Sequence, residues 1–319
     1  MVSMKDIAKE LNLSRCTVSD ILNHKTNKKS YKQETIDLVL NTAKEMGYVT
    51  NNIAKSLKTG STRTIALVIP DISNTFYTRI IKEIERLAYA ANYSLIICIT
   101  EESFEKENEV LRMLSSRMVD GILISAVSAT HSLQDNYPFQ IVCFDRTIEN
   151  KKYCSVTIDN EKAALELGRR FVLAGAKSPL FIATSPADYT VRLRIKGFQN
   201  AMAEAGISWS ETQILYHVYD AKTACEKLSS LIQAENIFFD SIALSTNYYI
   251  YGILKALQQH EKKTAVLGGF EDFNGSDFFN DVICVHQPEK EIASIAFQSL
   301  LQLMNHEPSV SKILNTHIT

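Results

Sequence analysis

Residues 62–80, TRTIALVIPDISNTFYTRI, decide the fold class because they join a buried strand to the start of a helix. The apolar run Ile65–Ile69 is short and rich in β-branched residues, which is typical of a strand that is buried on both faces. Asp71 and Asn74 lie in the polar loop after the run. A helical periodicity begins near residue 75, so the stretch predicts a strand–loop–helix unit.

The same unit recurs along the rest of the chain. Short apolar runs predict strands at residues 95–99, 121–125, 141–144, 179–183, 242–244, 265–267 and 282–285. Amphipathic segments predict helices near residues 75–91, 104–116, 161–175, 191–206, 221–234, 247–259 and 289–304. This alternation predicts two doubly wound parallel-sheet subdomains with a break near residue 160. Folds of this kind bind ligands beyond the carboxyl ends of their strands, here in the cleft between the subdomains.

The net charge of the whole chain conceals a small basic segment. The 319 residues carry a net charge of −2, but residues 1–60 hold ten basic and six acidic residues and residues 61–319 have a net charge of −6. A basic segment beside an acidic one is compatible with nucleic-acid binding. A solvated charged surface would give the same charge count.

Residues 3–47 have the pattern of a helix-turn-helix. Ser3 starts a predicted helix over residues 4–11, Ser14 starts a second over residues 15–22, and a third over residues 33–46 braces the pair. A generic three-helix bundle would show the same pattern. The residues that come after these helices in the chain therefore decide between the two.

The second helix is the one that a helix-turn-helix inserts into the major groove of DNA. If it enters by its N-terminus, Arg15 and Cys16 come nearest to the bases. The candidate DNA-binding residues in this segment are Ser3, Ser14, Arg15, Cys16, Thr17, Ser19 and Asn23.

Four stretches carry a family resemblance over essentially the whole chain. They are MKDIAKELNLSRCTVSDILN (4–23), ETIDLVLNTAKEMGY (34–48), NNIAKSLKTGSTRTIALVIPDISNTFY (51–77) and VDGILIS (119–125). In this order and spacing they closely resemble the lactose-repressor family of bacterial transcription regulators. The sequence of residues 62–80, together with the long loop over residues 25–32, resembles the branch of fructose (catabolite repressor–activator) and sucrose repressors.

The resemblance implies an N-terminal all-α helix-turn-helix headpiece with a hinge helix, and after it an α/β two-lobed effector domain like the periplasmic binding proteins. The implied ranges are the headpiece 1–50, the hinge helix and linker 51–62, and the effector-binding and dimerisation domain 63–319. Within that domain the first lobe covers about 63–158 plus 288–305, and the second covers about 162–286. The chain is expected to cross between the lobes three times, so that the last helix returns to the first lobe.

The hinge helix over residues 51–58 is implied to fold in the minor groove when two copies meet. Asn51, Ala54 and Leu57 match the family's DNA-contacting hinge positions, with Leu57 as the leucine that is wedged between bases at a central pyrimidine–purine step. Thr50 replaces the family's usual Pro. Asp20 replaces a usual Arg in the second helix, and its carboxylate either accepts from a cytosine amino group or faces solvent.

The implied effector site uses polar residues at the strand ends. In the family motif R-x-R-x-x-G-F, at residues 192–198 here, Arg194 is the arginine that binds the sugar. The full set of expected effector-binding residues is Asp71, Asn74, Asp145, Arg146, Arg194, Asn247 and Glu271. Thr246-Asn247 stands where the family commonly has Asn-Asp, which removes a carboxylate and favours an anionic effector. The resemblance thus implies a sugar or a sugar phosphate as the ligand.

Two other classes of function compete with that of a regulator. An enzyme is disfavoured because the chain has no GxSxG, HExxH or dinucleotide-binding glycine motif, and its seven His lie apart from suitable partners. An exported sugar receptor would need no basic headpiece. The six scattered Cys indicate reduced thiols, and no apolar run reaches 18 residues. We therefore expect a cytoplasmic repressor without cofactor, catalytic centre, metal or membrane contact, whose partners are palindromic operator DNA, the effector and further copies of the chain in a homodimer or tetramer.

Overall fold

The computed structural model describes residues 2–23, 31–48, 60–127, 137–148, 153–235, 237–271, 273 and 282–319. The chain forms two compact units, the head unit (Met1–Thr62) and the lobed unit (Arg63–Thr319).

The head unit contains three helices whose ends match their capping residues. They are α1 (Met4–Glu10), α2 (Arg15–Leu22) and α3 (Gln33–Glu45). Ser3 forms a capping box with Asp6, and the Ser14 hydroxyl accepts from the backbone N–H of Thr17. Ile7, Val18, Ile21 and Val39 are fully or almost fully buried between the helices. The predicted helix-turn-helix is therefore present.

The lobed unit contains two six-stranded sheets. The strands are β1 (Thr64–Ile69), β2 (Ser94–Ile99), β3 (Gly121–Ile124), β4 (Gln140–Phe144), β5 (Cys154–Ile158), β6 (Pro179–Ile182), β7 (Ile214–Leu215), β8 (Ser241–Leu244), β9 (Val266–Phe270), β10 (Val282–His286), β11 (Lys312–Leu314) and β12 (His317–Ile318). The first sheet has the order β2-β1-β3-β4-β5-β11 and the second has the order β7-β6-β8-β9-β10-β12. All pairs are parallel except β10 with β12. The two sheets repeat one topology.

Helices cover both faces of each sheet. They are α4 (Thr75–Ala90), α5 (Phe104–Ser116), α6 (Asn160–Leu173), α7 (Tyr189–Glu204), α8 (Ala221–Ala234), α9 (Ile250–Gln259) and α10 (Glu289–Met304). Alternate residues of a strand face different helices: Leu67 belongs to the cluster with α4 and α10, whereas its neighbour Val68 packs with α5. In the second sheet α6 and α7 cover one face, and α8 and α9 cover the other. These are the two doubly wound subdomains that the strand–helix alternation predicted.

The chain passes between the two sheets three times. The passages come after β5, β10 and β11, and α10 packs against α4 and the first sheet, as expected for the last helix. The sequence pattern did not predict β5, β7, β11 or β12. The last three have only two or three residues each, which is too short to produce a hydrophobic period. Among the described residues, no helix is both long enough and apolar enough to span a membrane.

Glu107 is a buried carboxylate inside the first lobe. Its side chain on α5 is fully buried, Oε2 accepts from the backbone N–H of Val127 at 2.8 Å, and Oε1 has no hydrogen-bond partner among the described residues. Burial raises the pKa of Glu107 to about 7, against the lowering effects of the Val127 N–H and the positive charge of Arg146. Ionisation of this carboxyl therefore opposes folding.

Glu107→Gln is expected to stabilise the protein at about pH 8 and to change it little at about pH 5. The folded chain keeps a proton that the unfolded chain releases, so stability falls as the pH rises from about 4.5 to about 7. With about 1.4 kcal/mol per pKa unit, the gain at high pH is on the order of 3 kcal/mol. Thermal unfolding at both pH values measures it. The control is Glu109→Gln, an exposed residue on the same helix, and an equal gain at both pH values would contradict the prediction.

Candidate functional site

The N-terminus of α2 forms the exposed end of the helix-turn-helix. Ser14, Arg15 and Cys16 are exposed there, while Thr17 is half-buried and its hydroxyl lies 2.9 Å from that of Ser14. Ser3, at the start of α1, is also exposed. An exposed guanidinium beside short polar side chains suits contacts with base edges and phosphates.

The last turn of α2 uses its polar side chains locally. Asn23 donates to the backbone oxygen of Ser19 at 2.7 Å, so both residues are engaged within the helix. Tyr31 donates its hydroxyl to the Asp20 carboxylate at 3.0 Å, a contact between α2 and the residues before α3. From the sequence we expected the Asp20 carboxylate to accept from a cytosine amino group or to face solvent. The hydrogen bond from Tyr31 was not predicted. The expected hinge residues Asn51, Ala54 and Leu57, and Thr50, lie outside the described residues.

A cavity of about 640 Å³, the cleft, lies beyond the carboxyl ends of the two sheets in the lobed unit. Six of the seven expected effector-binding residues line it: Asp71, Asn74, Asp145, Arg146, Arg194 and Glu271. The rule that places ligands at strand ends thus brings these residues together, although they lie up to 200 positions apart in the sequence.

Asp145 and Glu271 occupy equivalent places in the two lobes. Asp145 directly follows β4, Glu271 directly follows β9, and each donates its backbone N–H to the neighbouring strand. Both have left-handed backbone conformations, with φ of 60° and 77°. This region is strained for residues other than glycine and is enriched at functional sites.

Arg194 is fixed in the wall of the cleft by the second lobe. Its Nε donates to the Asn160 side chain at 2.8 Å, its Nη1 donates to the backbone oxygen of Ser245, and its guanidinium lies 3.8 Å from the ring centre of Phe270. The side chain is 4% exposed. Nη2 makes no hydrogen bond to any residue that the structure describes. Its two N–H groups, on a guanidinium held in place by the other contacts, therefore remain for a ligand.

A glycine explains how Arg194 reaches Asn160. Gly197 lies one turn beyond Arg194 on α7, and a Cβ at that position would clash with the backbone oxygen of Glu161 in the first turn of α6. The two helices can approach this closely only without that side chain. The close packing of α6 and α7 therefore requires the glycine of the R-x-R-x-x-G-F motif.

The carboxylate of Asp145 is partly satisfied by its neighbours. Its Oδ2 accepts from Tyr77 at 2.8 Å and from Ser125 at 3.2 Å, while its Oδ1 accepts nothing from the described residues. Burial raises the pKa of Asp145, against the lowering effect of the Arg146 and Arg194 charges. Asp145 therefore presents a free acceptor to the cleft.

Glu271 is bound on both of its carboxylate oxygens. It accepts from Thr246 at 2.6 Å and from Gln287 at 3.2 Å, and it is 5% exposed. Burial, together with the negative charges of Asp145 and Glu289, raises its pKa to about 7 against the lowering effects of Arg194 and Thr246. Near neutral pH this carboxyl can therefore either keep or release its proton.

Arg146 connects the two sides of the cleft. Its guanidinium makes a bidentate pair with Glu102 at 2.7 and 2.9 Å, and it lies 3.3 Å from the carboxylate of Asp188. Glu102 belongs to the first lobe, and Asp188 caps α7 in the second. One charged group thus bridges the lobes.

Asn247 does not line the cleft, which corrects its expected place there. Its side chain is 1% exposed and donates to the backbone oxygen of Glu271, so it lies behind the cleft wall. Its neighbour Thr246 lines the cleft instead. Asp272, which follows Glu271 in the chain, lies outside the described residues.

Several cleft residues were missed by the sequence reasoning. They are Tyr77, Glu102, Asp188, Thr246 and Tyr248. Asp188 and Glu102 also lie in loops after strands, so the strand-end rule could have found them. Tyr77 could not be found this way, because it reaches Asp145 from within the buried face of α4.

Comparisons with known proteins agree with this fold. Residues 3–51 match the family described as bacterial regulatory proteins, lacI family, and residues 65–307 match the periplasmic binding protein domain. The chain is 30% identical to the HTH-type transcriptional regulator RegA of Clostridium saccharobutylicum over 95% of this chain and 92% of that one. It is 27% identical to the HTH-type transcriptional repressor PurR of Vibrio cholerae over 99% and 96%. The crystal structure of a LacI-family regulator from Silicibacter pomeroyi aligns with a TM-score of 0.80 at 21% identity, over 100% of this chain and 98% of that one.

Proposed function

Since the chain belongs to the LacI family and is a DNA-binding transcriptional regulator, we propose that it represses sugar-metabolism genes under the control of a ligand in the cleft. The head unit binds a palindromic operator, and a small hydroxylated molecule changes the affinity for that operator. The supporting observation is the buried guanidinium of Arg194, which lines a 640 Å³ cavity together with carboxylates and whose Nη2 makes no hydrogen bond to a described residue.

The ligand site is suited to hydroxyl groups. The planar fork of Arg194 donates, the free Oδ1 of Asp145 accepts, and Glu271 either accepts or donates according to its protonation. A molecule with several adjacent hydroxyls can satisfy all three groups at once, because each hydroxyl both donates and accepts. A sugar has this chemistry.

Control of DNA binding follows from the two lobes. Arg146 of the first lobe already contacts Asp188 of the second, so a ligand between the lobes changes contacts on both sides. We propose that this shift alters the pairing of the hinge helices over residues 51–58 in a homodimer or tetramer, and that operator affinity falls. The ranges 1–50, 51–62 and 63–319 are the proposed functional divisions, and the cytoplasm is the proposed place of action.

The branch within the family stays a prediction. It rests on the sequence of residues 62–80 and on the loop over residues 25–32. The two relatives are named as RegA and PurR, not as fructose or sucrose repressors. No catalytic role is proposed, in keeping with relatives that are named as regulators.

Arg194→Ala is expected to abolish release of operator DNA by the ligand while operator affinity without ligand is retained. The variant removes a charged donor of the ligand, which corresponds to about a 10- to 100-fold loss of ligand affinity. The measurement is operator binding with and without a screened library of sugars, with Arg194→Lys as a variant that keeps the charge but not the fork. The control is Lys196→Ala, an exposed residue on the same helix that pairs with Glu161. An unchanged response of Arg194→Ala would place the ligand elsewhere.

Arg15→Ala is expected to reduce preference for the operator over unrelated DNA by about 10- to 100-fold, because a contact to a base edge is worth about 1–3 kcal/mol. Binding to both DNAs at one fixed salt concentration measures it. The control is Lys222→Ala, an exposed residue of the lobed unit. Equal losses on both DNAs would make Arg15 a phosphate contact only, and no loss would remove α2 from the groove.

Leu57→Ala is expected to weaken operator binding and to reduce the bend of the DNA, because the methyl group of alanine is too small to be inserted between bases. Gel mobility of circularly permuted operator fragments reports the bend. A variant that binds and bends the operator like the parent chain would contradict the hinge proposal.

A further inference from the structure

The cleft carries an excess of negative charge. Among the described residues, five carboxylates other than that of Glu101 line it together with two guanidiniums. The carboxylates belong to Asp71, Glu102, Asp145, Asp188 and Glu271, and the guanidiniums belong to Arg146 and Arg194. At the rim, Glu101 lies 2.8 Å from Lys106, so that pair adds no net charge.

Both guanidiniums already bind acceptors with part of their donor groups. Arg146 is already bound by Glu102 at two positions and by Asp188, and its side chain is 14% exposed. Arg194 has two of its donors bound to Asn160 and Ser245. A phosphate needs several donors, so one that bound Arg146 would have to replace Glu102 or Asp188.

Two of these carboxylates, those of Asp145 and Glu271, directly follow strands in the two lobes. Burial raises the pKa of both groups, and the charge of Asp145 raises that of Glu271 further. The groups that face Glu271 are Arg194, Thr246, Gln287, Asp145 and Glu289. The cation among them, Arg194, is shared with Asp145.

Independent groups of the cleft point to a ligand. Arg194 is almost fully buried, and its Nη2 makes no hydrogen bond to the described residues. An acceptor on the ligand, such as a hydroxyl oxygen, would satisfy the Nη2 donors. Oδ1 of Asp145, on the opposite lobe, accepts no hydrogen bond from the part of the chain that the structure describes. Tyr77 and Tyr248 add aromatic rings to the lining, and such rings attract a cation.

We propose that the ligand of the cleft is a hydroxylated molecule that carries a positively charged nitrogen, as an amino sugar does. Its ammonium group offsets the excess of carboxylates at Asp145 and Glu271, and its hydroxyls bind Arg194. This inference rests on the proposed function of the cleft, and it replaces the anionic effector that the loss of a carboxylate at Thr246-Asn247 favoured.

Three matched series of sugars test the proposal with the full chain. Each series contains the 2-amino sugar, the neutral sugar and the 6-phosphate, in the gluco, galacto and manno configurations. Titration calorimetry at about pH 6.5, below the ~7.7 at which such an amine loses its proton, measures affinity. Release of operator DNA is measured beside it. In the series that binds, the amino sugar is expected to bind about tenfold or more tightly than the neutral sugar, and the phosphate most weakly.

Proton release separates a charge effect from simple fit. An ammonium group beside Glu271 favours its ionised form, so binding of the amino sugar is expected to release up to about one proton at this pH. Calorimetry in two buffers of different ionisation heat detects it. Glu271→Gln is expected to lose both the proton release and most of the preference for the amine. The control is Glu226→Gln, an exposed residue on α8, which should keep both.

The outcomes distinguish the two proposals. Tighter binding of a neutral sugar or a phosphate, or an amine preference that survives Glu271→Gln, would contradict the proposed positive charge of the ligand. The cleft would still be a sugar site. If no sugar of any charge binds or releases DNA, the proposed function fails together with the inference.

Discussion

The position of the Arg194 guanidinium is the interaction on which the cleft depends. It joins the first residue of α6, the end of β8 and the ring of Phe270 at the end of β9, so three segments of the second lobe converge on one side chain. Burial lowers the pKa of Arg194, against the raising effects of Glu271 and Asp145, and the charge is kept because arginine starts from so high a value. A buried cation of this kind needs fixed partners.

The architecture could be predicted from the sequence because it depends on long, repeated patterns. The strand at residues 64–69 and the helix at residues 289–304 have enough residues to show their period, and the third passage of the chain follows from the family resemblance. Strands β11 and β12 could not be predicted, because their two or three residues are placed by the neighbouring strands and not by their own hydrophobicity.

The candidate site could be predicted where function requires a polar residue at a strand end. Asp71, Asp145 and Glu271 meet that condition and line the cleft. Asn247 meets it too, yet it begins a short helix, Asn247–Tyr249, and its side chain is buried. The residue before it, Thr246, lines the cleft instead. Sequence position specifies which loop lies at the site, but the turn conformation specifies which side chain faces it.

The charge of the cleft, too, depends on the fold and not on the composition of the chain. The whole chain is nearly neutral and the head unit is basic, and neither value describes the interior of the cleft. Loss of one acid at residues 246–247 suggested a less acidic site, but Glu102 and Asp188 bring acids from loops that the sequence did not connect with it. The local balance depends on which loops meet, which only the fold determines.

The left-handed backbone at Asp145 and Glu271 has an evolutionary consequence. Such a conformation costs roughly 1–2 kcal/mol for a residue with a side chain and almost nothing for glycine. Every aspartate and glutamate codon becomes a glycine codon by one nucleotide change. A descendant of this chain that no longer depended on its ligand would therefore lose backbone strain by replacing either residue with glycine. Glycine at these two strand ends would be the expected genetic signature of a regulator that has ceased to sense a small molecule.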